Sequence, residues 1–124
     1  SEAVETWQRL THFNLDEVAN GSLNGDVSIV NTNHPILKTP FGNFKDFKYA
    51  QDIDTCVSAN DGVAVLAKEG SSAALMAYQG PNGGPRSVTQ NFMVTGVNES
   101  EDQNILFKNT VAWLLEDLIK KYNP

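Results

Sequence analysis

Few side chains in this sequence are of a kind that does covalent chemistry, and they are scattered. The lone thiol, Cys56, stands in Ile53-Asp54-Thr55-Cys56-Val57-Ser58. A cysteine nucleophile needs a neighbouring base and surroundings that favour the thiolate. His12 and His34 are the two imidazoles that could serve, and both are distant in sequence. A small thiol in a strand-like run is expected to be buried and inert. A single cysteine also makes no internal disulfide and no cysteine-rich metal site. Ser71 and Ser72 lie in Gly70-Ser71-Ser72-Ala73-Ala74, which lacks the second glycine of a Gly-x-Ser-x-Gly elbow. They are read as turn residues, and no catalytic residue is assigned.

Metal and ligand chemistry fare similarly. Asn20-Gly21-Ser22-Leu23-Asn24-Gly25-Asp26 imitates a calcium loop, with oxygen-bearing residues at alternate positions and glycine sixth. Its early positions are amides and a hydroxyl, and Asn31 stands where the bidentate glutamate belongs. Affinity in such loops follows the carboxylate count, so an ordinary Asn-Gly turn is expected. His12, His34 and Asp16 lack the helical i, i+4 histidine pair of a zinc helix. His34 instead suits a local hydrogen bond beside Pro35. No metal and no cofactor is expected. Trp7, Tyr49 and Tyr78 are the ligand-binding candidates, because an exposed ring can stack on a sugar. Trp113 is expected in the core.

The elements that would position these residues follow from spacing. Val4, Trp7, Leu10 and Phe13 recur at intervals of three and predict a helix over 3–13. Val27–Val30 reads as a short strand closed by Asn33-His34-Pro35, and 41–49 as a loop leading to a strand that 56–58 continues. Gly62–Lys68 and Ala73–Gln79, separated by Glu69-Gly70-Ser71-Ser72, predict a β-hairpin. After the breaker Gly80-Pro81-Asn82-Gly83-Gly84-Pro85, a third strand is expected over 86–95, with Val88, Phe92 and Val94 on one face. Ser100-Glu101-Asp102-Gln103 has the form of a capping box. It opens one long C-terminal helix whose buried face is read as Phe107, Val111, Leu114, Leu115, Leu118 and Tyr122. Ile105, Leu106 and Trp113 widen the apolar surface, so a second neighbour is expected, with Trp7, Leu10, Ile105 and Leu106 at the contact.

Three of these segments, in this order, carry a family resemblance. They are Asn33-His34-Pro35-Ile36; the run Asp61–Ala67 followed by Ala73–Tyr78 and Gly83-Gly84-Pro85-Arg86; and Asn104–Leu115. Together, over about residues 5–119, they resemble the C-terminal half of a class I glutamine amidotransferase-like domain, a flavodoxin-related α/β fold. The resemblance implies an α/β chain, a partial sheet of that type with a β-hairpin region and a long C-terminal helix. Its glutaminase members carry a nucleophilic cysteine on a strand-to-helix elbow and a late His-Glu pair. Here Cys56 has no flanking glycines and no histidine follows His34. The implied form is degenerate and lacks the catalytic elbow.

Composition bounds what remains. The 124 residues make one domain, or the C-terminal half of a larger one. A net charge of −6 without a basic stripe excludes nucleic acid. Apolar runs are far shorter than the roughly 20 residues of a membrane span. Starting at Ser1 with few lysines and many Asn, Ser and Thr, the chain reads as a mature or excised piece of an exported protein, extracellular or periplasmic. The expected role is a non-catalytic accessory or assembly module of a larger multidomain protein. Its expected partner is another polypeptide segment or chain that completes the fold, or a second copy in a homo-oligomer. The alternatives are a carbohydrate-binding module beside a glycan- or mucin-degrading domain, and half of a hydrolase or transferase whose nucleophile lies on another segment.

Overall fold

A computed structural model of the chain describes residues 13–15, 27–45, 50–51, 56–59, 62–69, 72–90, 93–94 and 101–122. Its centre is a four-stranded sheet in the order β2 (Ser28–Ile29), β5 (Val63–Glu69), β6 (Ser72–Gln79), β7 (Arg86–Gln90). Two small pairs flank it: β1 (Phe13–Leu15) with β4 (Cys56–Ala59), and β3 (Ala50–Gln51) with β8 (Met93–Val94). Every strand pair among the described residues is antiparallel. Two helices, α1 (Glu101–Leu114) and α2 (Glu116–Tyr122), follow, so the chain is mixed α/β.

The predicted hairpin is β5–β6, with Val63 opposite Tyr78 and Glu69 opposite Ser72. Its register slips around Leu66. Such a bulge re-aims backbone groups, and here the Leu66 carbonyl accepts the N–H groups of Val30 (2.8 Å) and Asn31 (3.3 Å), drawing β2 onto the sheet. Ala73 through Ala77 are all buried. A run that is apolar at every position fits a central strand covered on both faces. Ala74, Leu75 and Ala77 join the main core with Ile36, Leu37, Phe44, Leu66, Leu106 and Trp113, while Ala73 and Met76 pack with Val63 and Val65.

The segment after β2 seals one end of this core. Its 3-10 turn, Pro35–Leu37, buries Ile36 and Leu37. The His34 side chain caps it, Nδ1 accepting the Ile36 N–H at 3.2 Å, which is the local bond its place before proline suggests. Phe44 N–H then bonds the Leu37 carbonyl at 2.9 Å.

The structure corrects four expectations. Phe13, taken as the end of a helix, opens β1; the rest of that segment, Trp7 and Leu10 included, lies outside the described residues, as do Tyr49 and the 20–25 turn. The single strand over 86–95 divides, β7 pairing with β6 and β8 with β3. The C-terminal helix is interrupted at Leu115, with Leu115 N–H still bonded to the Val111 carbonyl on one side of the break and Ile119 N–H to the Leu115 carbonyl on the other. The largest correction concerns its faces. The predicted core stripe points outward, with Phe107 70% and Leu118 54% exposed, while Leu106, Asn109 and Trp113 are buried. Leu106, expected at a contact with a partner, therefore belongs to the chain's own core.

The inward stripe was hidden because it is partly polar, and its polar groups are satisfied. Asn109 is fully buried; its Oδ1 accepts the Phe41 N–H and its Nδ2 donates to the Gly42 carbonyl, both at 2.9 Å. The Thr110 hydroxyl bonds back to the Leu106 carbonyl at 2.7 Å. Buried polar groups are tolerated on these terms.

Candidate functional site

The sequence candidates do not converge. Cys56 opens β4, opposite Leu15 of β1, in an antiparallel pair rather than on a strand-to-helix elbow. Tyr78 sits half-buried in β6, its ring edge beside Gly62, the residue before β5. His34 faces the helices instead, its ring edge-on to Trp113 at 5.1 Å between centroids. Trp113 is buried, as expected. Among the described residues, no three His, Cys, Asp or Glu side chains stand together in a way that could hold a metal ion, and no helix is long and apolar enough to cross a membrane.

What the fold does build is a fastening at the junction of the two helices. Arg86 leaves β7 and stacks over Trp113, its guanidinium 4.6 Å from the ring centroid. Its Nη1 donates to the Trp113 carbonyl at 2.6 Å and to Glu116 at 3.1 Å, and its Nε donates to Gln79. A basic side chain on the last carbonyls of a helix closes an end that has no further ladder partner. Glu116 also receives Lys120 at 2.7 Å. These bonds, from Lys120 first and then Arg86, hold its carboxyl below the usual carboxylate range. Burial, reinforced by the Arg86 charge, pushes the His34 imidazole below its usual value. With Nδ1 already an acceptor, His34 serves the fold as a neutral cap and not as a free base.

The fastening fixes α1 and α2 with one apolar side turned away from the sheet. Two adjoining grooves of about 270 Å³ each run along that side and share Ala112 and Ile119. One lies under Pro35, Pro40 and Trp113; the other is walled by Phe41, Phe107, Val111 and Leu115. Among the described residues the exposed large apolar side chains, Val30 apart, are Phe41 and, along the helices, Phe107, Val111, Leu114, Leu115, Leu118, Ile119 and Tyr122. Scattered surface leucines need no explanation, whereas apolar side chains gathered along one helical face do. Lysines edge it, Lys108 over the Phe41 ring and Lys121 over the Tyr122 ring, each at 5.6 Å. The sequence signal for this face was present as a helix apolar on more than one side; periodicity alone could not say which side was inward. Comparison of the chain with protein-family models, with characterised proteins and with solved structures gives no match.

Proposed function

We propose that this chain is a non-catalytic assembly domain of a larger, exported multidomain protein, and that it docks through the outward face of α1 and α2. One observation carries the reading: among the described residues, the exposed large apolar side chains other than Val30 are Phe41 and a set along α1 and α2. Leaving such a surface in water costs about 25 cal/mol per Å², so covering it is a driving force for association. The fold-level part of the reading is a degenerate C-terminal half of a class I glutamine amidotransferase-like domain. It rests on the order of the three segments in sequence, Asn33–Ile36, Asp61–Arg86 and Asn104–Leu115. The absence of a catalytic role is supported by the position of Cys56 in an antiparallel strand and by the use of His34 as a turn cap.

The test is a Leu115→Glu, Leu118→Glu double variant of the protein, compared with the wild type by light scattering and by binding of an anilinonaphthalene sulfonate dye. The double variant should keep the circular dichroism spectrum, lose association and lose dye binding. A variant that keeps both the wild-type size and the wild-type dye response would remove this face from consideration.

A further inference from the structure

The assembly reading leaves open what covers the outward face, and the inference here rests on that reading. Along the helices the stripe runs Phe107, Val111, Leu114, Leu115, Leu118, Tyr122, at successive spacings of four, three, one, three and four residues. The series is the same read from either end. Reversed about the Leu114–Leu115 bond, Phe107 falls on Tyr122, Val111 on Leu118 and Leu114 on Leu115, so aromatic maps on aromatic and branched aliphatic on branched aliphatic. The stripe crosses the break at Leu115, with one bond on each side of it, Leu115 N–H to the Val111 carbonyl and Ile119 N–H to the Leu115 carbonyl.

An interface between two copies about a twofold axis must be self-complementary, residue i meeting j wherever j meets i. An antiparallel pair of these helices satisfies that condition with leucines at the axis and aromatics at both ends. A stripe made for a directional partner has no need of reversal symmetry. The area agrees: the exposed surface of these side chains with Phe41 and Ile119 is on the order of 800 Å² per chain, one side of a standard stable interface. Lys120 is neutralised by Glu116 within its own chain, and the same reversal sets Lys108 at the level of the second copy's Lys121 at each end of the stripe, each lysine lying over a ring of its own chain. We infer that the outward face binds a second copy of this chain, as an antiparallel helix pair whose twofold axis passes between Leu114 and Leu115.

Two measurements test this. In sedimentation equilibrium the wild-type chain should be a dimer at micromolar concentration, and Leu118→Glu should raise the dissociation constant at least 100-fold with the melting temperature of the monomer unchanged. In a Cys56→Ser background, mild oxidation of the Val111→Cys, Leu118→Cys double variant should give covalent dimer at least tenfold faster than either single variant. Within one chain these positions are about 10 Å apart along the helix, too far for a disulfide. Single variants that cross-link as fast as the double variant indicate a parallel pair and overturn the proposal. A wild-type chain that stays monomeric at high concentration overturns it too. If that monomer still binds dye in a Leu118-dependent way, the assembly reading survives and only the second copy is lost; if Leu118→Glu alters neither, both fall.

Discussion

Truncating one leucine on each side of the terminal helices separates the two faces energetically. Leu106 is 6% exposed and packs in the core that holds Ile36, Leu37 and Trp113. Leu106→Ala removes a buried isobutyl group, about 2 kcal/mol of transfer free energy, and leaves a cavity that the surrounding turn and sheet fill only in part. The expected loss is about 3 kcal/mol. Leu118 is 54% exposed, so its truncation forfeits less than half of that transfer term and opens no cavity. Alanine's better helix propensity offsets a few tenths more, leaving about 0.5 kcal/mol. Urea unfolding followed by far-ultraviolet circular dichroism measures both, provided the slope with denaturant is unchanged. The measurement belongs at two protein concentrations, because an associating face adds a concentration-dependent stability that a core residue does not. The Leu106 cost should be the same at both, and any larger Leu118 cost should appear only at the higher one. Equal losses at the lower concentration would refute the assignment of the two faces.

Three further outcomes follow from the contacts around this core. Asn109→Ala should cost about 2–3 kcal/mol in urea unfolding, since it removes two hydrogen bonds and strands the Phe41 N–H and Gly42 carbonyl. Asn109→Asp, which keeps an acceptor but not the donor, should be no better at neutral pH. Arg86→Lys should cost about 1–2 kcal/mol and alter Trp113 fluorescence, because an ammonium cannot at once stack on the ring and bond Gln79, the Trp113 carbonyl and Glu116. For His34 the folded-state value is lowered, so the unfolded chain takes up the proton more readily. Stability is then full above about pH 6.5 and declines as the pH falls from there toward the lowered value. His34→Asn, which keeps a capping acceptor and does not titrate, should flatten that decline in melting temperature between about pH 7 and pH 5.

Local signals told the truth where one chemical cause acted alone. The two apolar runs of 62–79 and the turn residues between them gave the hairpin, and the acidic residues after Ser100 mark the start of α1 at Glu101. The proline after His34 marked a real change of direction, with a side-chain cap. They misled where partners far away decided. Residues 86–94 look like one strand, but β7 and β8 answer to different neighbours, β6 and β3. On the terminal helix two stripes of similar period compete, and the purely apolar one was taken as core. The partly polar one won because loop 39–44 supplies partners for Asn109 and because Arg86 ties the Trp113 carbonyl to β7. Of the site, Tyr78 was placed as a strand residue, whereas the outward aromatics Phe41 and Phe107 were not singled out as a surface. Trp7 and Tyr49 fall outside the described residues.

The Asn109 clamp also bears on the order in which the chain acquires its structure. Its two bonds close over 68 and 67 residues of sequence. By contrast the β5–β6 hairpin joins residues only a short loop apart. Contacts of high sequence separation must overcome loop-closure entropy before they are rewarded, so they form late unless they belong to the nucleus. During synthesis the Phe41-Gly42 backbone emerges long before the amide that holds it. The hairpin is then the natural nucleus, and the 35–44 segment settles only when α1 arrives. In refolding kinetics, Asn109→Ala should therefore speed unfolding and leave the folding rate nearly unchanged, while truncation of Leu75 in the hairpin slows folding.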